Sequence, residues 1–484
     1  MKGVFPMKPG FPFITQKDSD RNHGDQSKTN RRDLLLKITA LLFLVTPVAQ
    51  AVPADEPPDF VPLGVYLSWE LPGQCAAYTG IERWEDVGRR LDVCADNHVN
   101  LLWVTNMSEA DLPRLIQECE NRSLTLLVSL DTIEGKIKDR WPDEGIYFKQ
   151  AVPRVVKLAG NSKALAGWVL SDEPGEEDLP HMETLRQMFR EADPNRFSLV
   201  VSMWPQTPLV PKKTHLPVVC VDLYPFFGPN DVNGPHTAAA SQGFFRQNAR
   251  NMIEAIGEKN IAPWIMGQCF VEIWGPYRYE KNSHLIALPG AYLHWRCPTP
   301  AEMRWQVWET FRGQSKGVIF FQLAPIFKCA PETSENPAPD VPWKDILVKE
   351  AADAGPAALT TLDAKATPQL EEIGKAFQAL GPFSQLILRW RATSETLAKA
   401  DSPATLQCFV DPKTGQNYAV VVNDNLESSE QIRLHVGPGI IKVVDMVHNQ
   451  NEIKLQEAAA GSDPTGTLDL KAGDGTILQL IRQE

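Results

Sequence analysis

Ala166-Gly-Trp-Val-Leu-Ser-Asp-Glu-Pro174 reads as the end of a buried strand that runs into two adjacent carboxylates and a proline. The apolar run spans Leu165 to Leu170. Proline stops the strand and pushes Glu173 towards extended backbone. Side chains alternate across a strand, so Asp172 and Glu173 are expected on opposite faces, with different jobs. The C-terminal end of a parallel strand is the rigid platform on which barrel folds carry chemistry. The plainer reading is a pair of solvated acids before a turn, and the neighbouring sequence decides between the two.

Outward from this stretch, short apolar runs alternate with helical periodicity. The runs are Leu63 to Trp69, Val99 to Thr105, Leu124 to Leu130, Ala164 to Leu170, Phe197 to Met203, Val218 to Leu223, Pro263 to Cys269 and Gly317 to Gln322. Helices are predicted over Glu82 to Asp96, Ala110 to Glu120, Tyr147 to Ala159, Leu179 to Ala192, Ala238 to Gly257 and Pro300 to Arg312. Strand-helix alternation implies parallel pairing with right-handed crossovers. Eight runs over about 260 residues predict an α/β fold of the (β/α)8 barrel type. An open doubly wound sheet is the alternative, but Glu70-Leu-Pro-Gly-Gln74 is not the Gly-rich turn that such a sheet carries after its first strand. The fifth unit has a Pro-rich loop and a short, irregular crossover. A long helical region is expected from Trp343 to Trp390, then a linker at Lys399 to Pro403. From Thr405 onward, short alternating runs with Gly, Asn and Asp turns predict a C-terminal antiparallel β-sandwich. The expected organisation is residues 1–51 as an export signal, 52–61 as a Pro-rich lead-in, 62–398 as the barrel with trailing helices and 404–484 as the sandwich.

The chain has 484 residues, 43% of them hydrophobic and 22% charged, an ordinary globular composition. A net charge of -12 argues against a nucleic-acid partner, because phosphate backbones select basic surfaces. Asn30-Arg-Arg-Asp-Leu-Leu35 resembles a twin-arginine export signal, Ile38 to Val48 is apolar and Ala49-Gln-Ala51 is an A-x-A cleavage site. An ordinary secretory signal is the rival. Either route gives a periplasmic or extracellular mature chain starting near Val52, with no stable membrane insertion, since the apolar run is shorter than the roughly 20 residues needed to span a bilayer. Eight scattered cysteines show no C-x-x-C spacing, and several read as buried small hydrophobes.

In a barrel the strand ends converge. They carry Trp69 and Glu70, Asn106, Asp131, Asp172 and Glu173, Ser202 and Trp204, Asp222 and Tyr224, Gln268 and Glu272, and Gln322. Carboxylates, amides and flat aromatics suit a sugar: the hydroxyls hydrogen-bond and the apolar ring face lies on tryptophan or tyrosine. On that basis Trp69, Asn106, Asp172, Trp204, Tyr224, Gln268, Trp274 and Gln322 are the expected substrate contacts. With its D-E-P variant of the strand-4 motif, Leu165 to Pro174 resembles the Asn-Glu-Pro segment of the clan A glycoside hydrolases, barrel enzymes that cleave poly- or oligosaccharides. The resemblance implies Glu173 as general acid/base. It also implies a nucleophilic glutamate at the seventh strand tip, where this chain has Gln268; Glu272 and Asp222 remain the candidates for the second carboxylate. A noncatalytic carbohydrate-binding barrel is the alternative. The loop Phe270 to Pro298, with Trp274, Tyr277, Arg278, Tyr279, His284, Tyr292, His294 and Trp295, is expected to wall the pocket; a self-packed surface loop that buries its own rings is the alternative. Gly313-Gln-Ser-Lys-Gly317 matches G-x-S-x-G, but it ends a helix and enters a strand, the reverse of a nucleophile elbow. His294 and His284 are too isolated for a zinc site, and no metal or cofactor is expected.

Overall fold

Eight parallel strands close into a barrel, each paired with the next around the ring. The first seven are β1 (Leu63–Ser68), β2 (Leu101–Met107), β3 (Thr125–Leu130), β4 (Leu165–Asp172), β5 (Phe197–Ser202), β6 (Val218–Leu223) and β7 (Ala262–Gln268). The loop after β7 carries four short strands: β8 (Glu272–Trp274), β9 (Tyr277–Tyr279), β10 (Leu285–Ala287) and β11 (Tyr292–Trp295). The eighth barrel strand, β12 (Gly317–Phe321), closes the ring between β7 and β1. This computed structural model describes residues 56–133, 145–279, 285–328, 340–346, 355–448, 451–456 and 463–483. The export segment, His284 and Cys329 lie outside the described residues.

The outer layer comprises α1 (Glu70–Thr79), α2 (Arg83–Asp96), α3 (Leu112–Glu120), α4 (Ile146–Ala159), α5 (Leu179–Ala192), α6 (Val210–Lys213), α7 (Ala238–Ile256) and α8 (Pro300–Arg312). Period-2 sorting builds the two layers of core. On β6, Val218 and Cys220 join the barrel interior with Tyr66, Trp103, Val169, Val201, Trp264 and Met266. The intervening Val219, Val221 and Leu223 pack outward against the helices. The fifth crossover is short, as predicted: a 3-10 turn at Thr207–Leu209 and the four-residue α6. The expected helical region from Trp343 to Trp390 is broken instead. After β13 (Phe327–Lys328) and β14 (Val341–Pro342), a 3-10 turn at Trp343–Asp345 and irregular chain precede α9 (Pro368–Leu380) and α10 (Ser384–Arg389). Pro356, Pro368 and Pro382 each lack the N–H that a helix interior uses, and each falls at a break.

The C-terminal strands are β15 (Arg391–Ala392), β16 (Ala398–Ala400), β17 (Ala404–Val410), β18 (Asn417–Asn423), β19 (Glu430–Val436), β20 (Ile440–Asp445), β21 (Glu452–Ile453), β22 (Thr465–Leu470) and β23 (Gly475–Arg482). They form a six-stranded sheet, β15-β17-β18-β23-β20-β21, and a three-stranded sheet, β16-β19-β22. Ala419, Val421, Ile432, Leu434, Val443 and Leu478 fill the space between the sheets. The opposite face of β18 and β23 presents Val420, Val422 and Ile477 to the same core as the barrel helices. The sandwich is therefore seated on the barrel. A Cβ on Gly475 would lie 2.6 Å from the Trp308 ring, so this close approach depends on glycine.

Candidate active site

The mouth of the barrel is set by the ends of β4 and β6. On β6 the interior parity continues from Val218 and Cys220 through Asp222 to Tyr224, which carries both functional side chains inward. Tyr224 OH donates to Asp222 Oδ2 at 3.1 Å. On β4 the register against β5 shifts between Val169 and Ser171. This bulge places Asp172 opposite Val201, an interior residue, and turns its carboxylate into the barrel. There Asp172 Oδ2 accepts a hydrogen bond from Tyr66 OH at 3.1 Å, and the same hydroxyl lies 2.7 Å from Thr105 Oγ1. Glu173 then takes a left-handed backbone with φ +50°, tied down by its N–H to Val201 O at 3.1 Å. A non-glycine residue is uncommon there, and such strain clusters at functional sites.

The expectation that Asp172 and Glu173 serve opposite faces is therefore corrected: the bulge and the left-handed turn bring both acids to one site. Asp222 shows the consequence. Burial, then the negative charges of Glu173 and Asp172 and a side-chain hydrogen bond with Glu173, push its carboxyl well above the usual range; the Tyr224 hydroxyl acts the other way. Its Oδ1 is shut off from solvent. Burial and the same acids also push up Tyr224, and burial with Asp222 and Asp172 pushes up the Cys220 thiol beneath. Like charges in one low-dielectric place disfavour ionising together, which is the direction in which the Asp222 carboxyl is pushed.

The other predicted contacts are distributed differently. Asn106 is exposed at the end of β2, also left-handed at φ +56°. Trp204 follows β5 and is 44% exposed beside the equally exposed Met203. Trp69 is buried, its Nε1 donating to Asp111 and its ring covered by Arg83 at 4.3 Å, so it offers no open face. Gln268 is fully buried, and its side chain is spent on the backbone of Phe226 and Arg296 at 2.8–3.0 Å. It pins the loop after β6 to the loop after β7. Gln322 is buried with its Oε1 unpartnered. Of the two candidate second carboxylates, Asp222 is the one joined to Glu173. Glu272 forms an ion pair with Lys328 and acts electrostatically on Tyr277 and His294.

Sequence reasoning missed Tyr66, which reads as one more apolar residue inside its run. It also missed the packing of the aromatic wall: Tyr224 meets Phe270 at 5.0 Å and Trp295 at 5.6 Å, and Phe270 meets Phe321 at 5.0 Å. A cleft of about 840 Å³ lies at the other end of the barrel, between Glu56–Phe60 and the starts of β4 and β5, away from these acids. Among the described residues no group of three or more His, Cys, Asp or Glu side chains is arranged to hold a metal ion. Among the described residues no helix is long and apolar enough to cross a membrane. Seven of the eight cysteines are free thiols, six of them buried.

No protein-family model matches the chain, and no curated protein sequence does either. A crystal structure of a glycoside hydrolase family 5 protein from Bacteroides vulgatus ATCC 8482 is similar over 86% of this chain and 89% of that one, with a TM-score of 0.52 and 9% identity. The b-glucuronidase from Ruminococcus gnavus in complex with D-glucuronic acid is matched over 66% of this chain with a TM-score of 0.43 and 10% identity. The match covers 49% of the glucuronidase, so this chain accounts for about half of that enzyme's length. At 9% identity the likeness to the family 5 protein concerns the fold alone.

Proposed function

We propose that this protein is an exported glycoside hydrolase, with Glu173 and Asp222 as the acid/base unit that protonates the glycosidic oxygen. The observation that carries this reading is the acid cluster itself: Asp222, on the inward-facing parity of β6, is buried beside Glu173 and Asp172, and burial and their charges push its carboxyl well above the usual range. As the bond to the anomeric carbon breaks, the proton passes from the pair to the leaving oxygen. A side-chain hydrogen bond with Glu173 is among the causes that raise Asp222, so the two acids are read as one unit rather than as two acids flanking a scissile bond. They therefore act on one side of it. The second carboxylate, as nucleophile or base, is assigned to Glu272 on β8. The Asp172 and Glu173 charges at the mouth repel a uronic acid, so the substrate is an uncharged oligo- or polysaccharide.

The test is release of reducing ends from neutral and uronic glycans by the purified mature protein. Activity on a neutral glycan, lost in Glu173→Gln and in Asp222→Asn, is expected; full turnover by pure Glu173→Gln would sink the reading. Wild-type turnover in Glu272→Gln would remove Glu272 from the mechanism. One observation favours a second reading, a carbohydrate-binding barrel without turnover: the seventh strand ends in Gln268, whose side chain serves the loops. Binding of a glycan by the wild type with no product would decide for it. Export is checked by N-terminal sequencing, which should find Val52 first.

A further inference from the structure

His294 and Asp231 belong to neither the acid cluster nor the hydrophobic core, yet both are almost fully buried, at 5% and 1% exposure. His294 Nδ1 is hydrogen-bonded to Asp231 Oδ2, while Asp231 Oδ1 accepts the N–H of Asn233 at 2.7 Å. Burying a carboxylate costs several kcal/mol unless it is paired, so this contact is built rather than incidental. The imidazole carries the ring of Trp274 stacked on it, centroids 3.7 Å apart and 22° from parallel. Trp295 meets its edge at 3.9 Å and Phe227 at 5.5 Å. Trp274 itself keeps part of its surface exposed.

The backbone locks the same parts together. Asp231 lies in the loop after β6, and His294 lies on β11. Gly228 N–H donates to His294 O at 2.8 Å, and Phe227 bridges Trp295. A Cβ on Gly228 would sit 2.0 Å from Leu293 O, so the two segments meet this closely only because position 228 is glycine. The loop that carries Asp231 starts from Asp222 and Tyr224, and Tyr224 packs on Trp295 at 5.6 Å. The stack thus stands on the wall beside the acid pair.

We propose that Asp231 and His294 are positioning residues that hold Trp274 flat as the stacking platform for an uncharged pyranose ring. The proposal rests on the glycan reading above for its ligand, but not for its geometry. Asp231 fixes the imidazole, the imidazole fixes the indole, and the sugar meets only the indole.

The full mature chain labelled with 5-fluorotryptophan provides the test. Trp274→Phe identifies the Trp274 resonance among the thirteen tryptophans. Asp231→Asn and His294→Ala are expected to displace or broaden that resonance. His294→Asn, which keeps a donor for Asp231 but has no ring, is expected to do the same with melting close to wild type, so a folding defect cannot account for the change. In a Glu173→Gln background, neutral hexasaccharides of glucose, xylose and mannose serve as probes. Trp274→Ala should weaken binding of whichever hexasaccharide binds by about tenfold, as expected for one aromatic stack. Asp231→Asn should approach that loss, and combining Trp274→Ala with Asp231→Asn should add little, because the two act through one ring. A Trp274 resonance unmoved by all three variants overturns the proposal. A resonance displaced as expected, in a protein where no hexasaccharide shifts it, upholds the positioning role and counts against the glycan reading instead.

Discussion

The barrel mouth and the seat of the sandwich both gather charged side chains, and they treat charge in opposite ways. At the seat, Arg246 on α7 donates to Glu309 on α8 at 3.0 and 3.1 Å and to Asp424 at 2.5 Å. Trp305 Nε1 donates to Asp424 at 2.9 Å, and Arg312 also pairs with Glu309. Although burial raises it, the two arginines hold the Glu309 carboxyl below its usual range. At the mouth, burial and then the neighbouring acids Glu173 and Asp172 push the Asp222 carboxyl up. A fold gains from the first arrangement and loses from the second. Like charges gathered at a strand tip, beside a left-handed backbone, are the kind of arrangement that clusters at functional sites.

The largest expected effect lies at the mouth. Glu173→Gln should lower kcat by about a thousandfold or more, within the range for removing a general acid or base, with unchanged circular dichroism. The same substitution removes the charge that raises Asp222, so any surviving activity should lose its alkaline side at a lower pH than the wild type; an unmoved alkaline limb would separate Asp222 from the reaction. The next effect is at the seat. Glu309→Gln leaves two arginines facing a neutral amide in a buried place and should cost about 3 kcal/mol in urea unfolding at pH 7. Because the folded carboxyl titrates below its unfolded value of 4.5, its stabilisation is full above that value and is lost as pH falls through the folded one. The mutant's deficit should therefore shrink in acid. A deficit independent of pH would mean packing, not charge.

Asp222→Asn sharpens the contrast with a smaller effect of opposite sign. The folded carboxyl binds its proton more tightly than the unfolded one, whose value is 3.8. Stability is then complete below that value and falls as pH rises towards the folded pKa. The neutral amide escapes this loss, so Asp222→Asn should melt a few degrees above wild type at pH 7 and alongside it near pH 3.5. A mutant that melts lower at pH 7 would show that Asp222 is a structural acid.

Most of the fold was legible because it follows from local chemistry. Each barrel strand is an apolar run, and each expected crossover helix lies within two residues of its observed start. What alternation alone does not reveal is a bulge. The faces of Asp172 and Glu173 depend on a register shift at Val169–Ser171 and on one left-handed residue, both fixed by pairing with β5. Parity along β6, from Val218 to Tyr224, carries Asp222 inward, but on sequence alone Asp222 and Glu272 stay open as equal candidates. The glutamine at the end of β7 was visible as a missing acid. Its use as a staple between two loops was not, because its partners are backbone atoms 28 and 42 residues away. The α1 helix was hidden by Pro72 and Gly73, which read as a turn but sit in its first turn.

The smallest expected effect tests whether the mouth also pays for binding with exposed apolar surface. Trp204 and Met203 are each 44% exposed on the loop after β5, although a tryptophan packed like Trp305 at the seat is fully buried. Truncating Trp305 removes a core ring together with a hydrogen bond to Asp424, so it should cost about 3 to 5 kcal/mol of stability. Trp204→Ala takes away a ring that the fold barely uses, so urea unfolding should change by less than about 0.5 kcal/mol. If that ring instead lies against substrate, KM for a neutral polysaccharide should rise about twofold to tenfold at unchanged kcat, since a stacked ring contributes about 0.5 to 1.5 kcal/mol. Both constants unchanged would make Trp204 an idle surface residue. A fall in kcat with KM intact would place it at the reacting bond, closer to Glu173 than a binding platform should be.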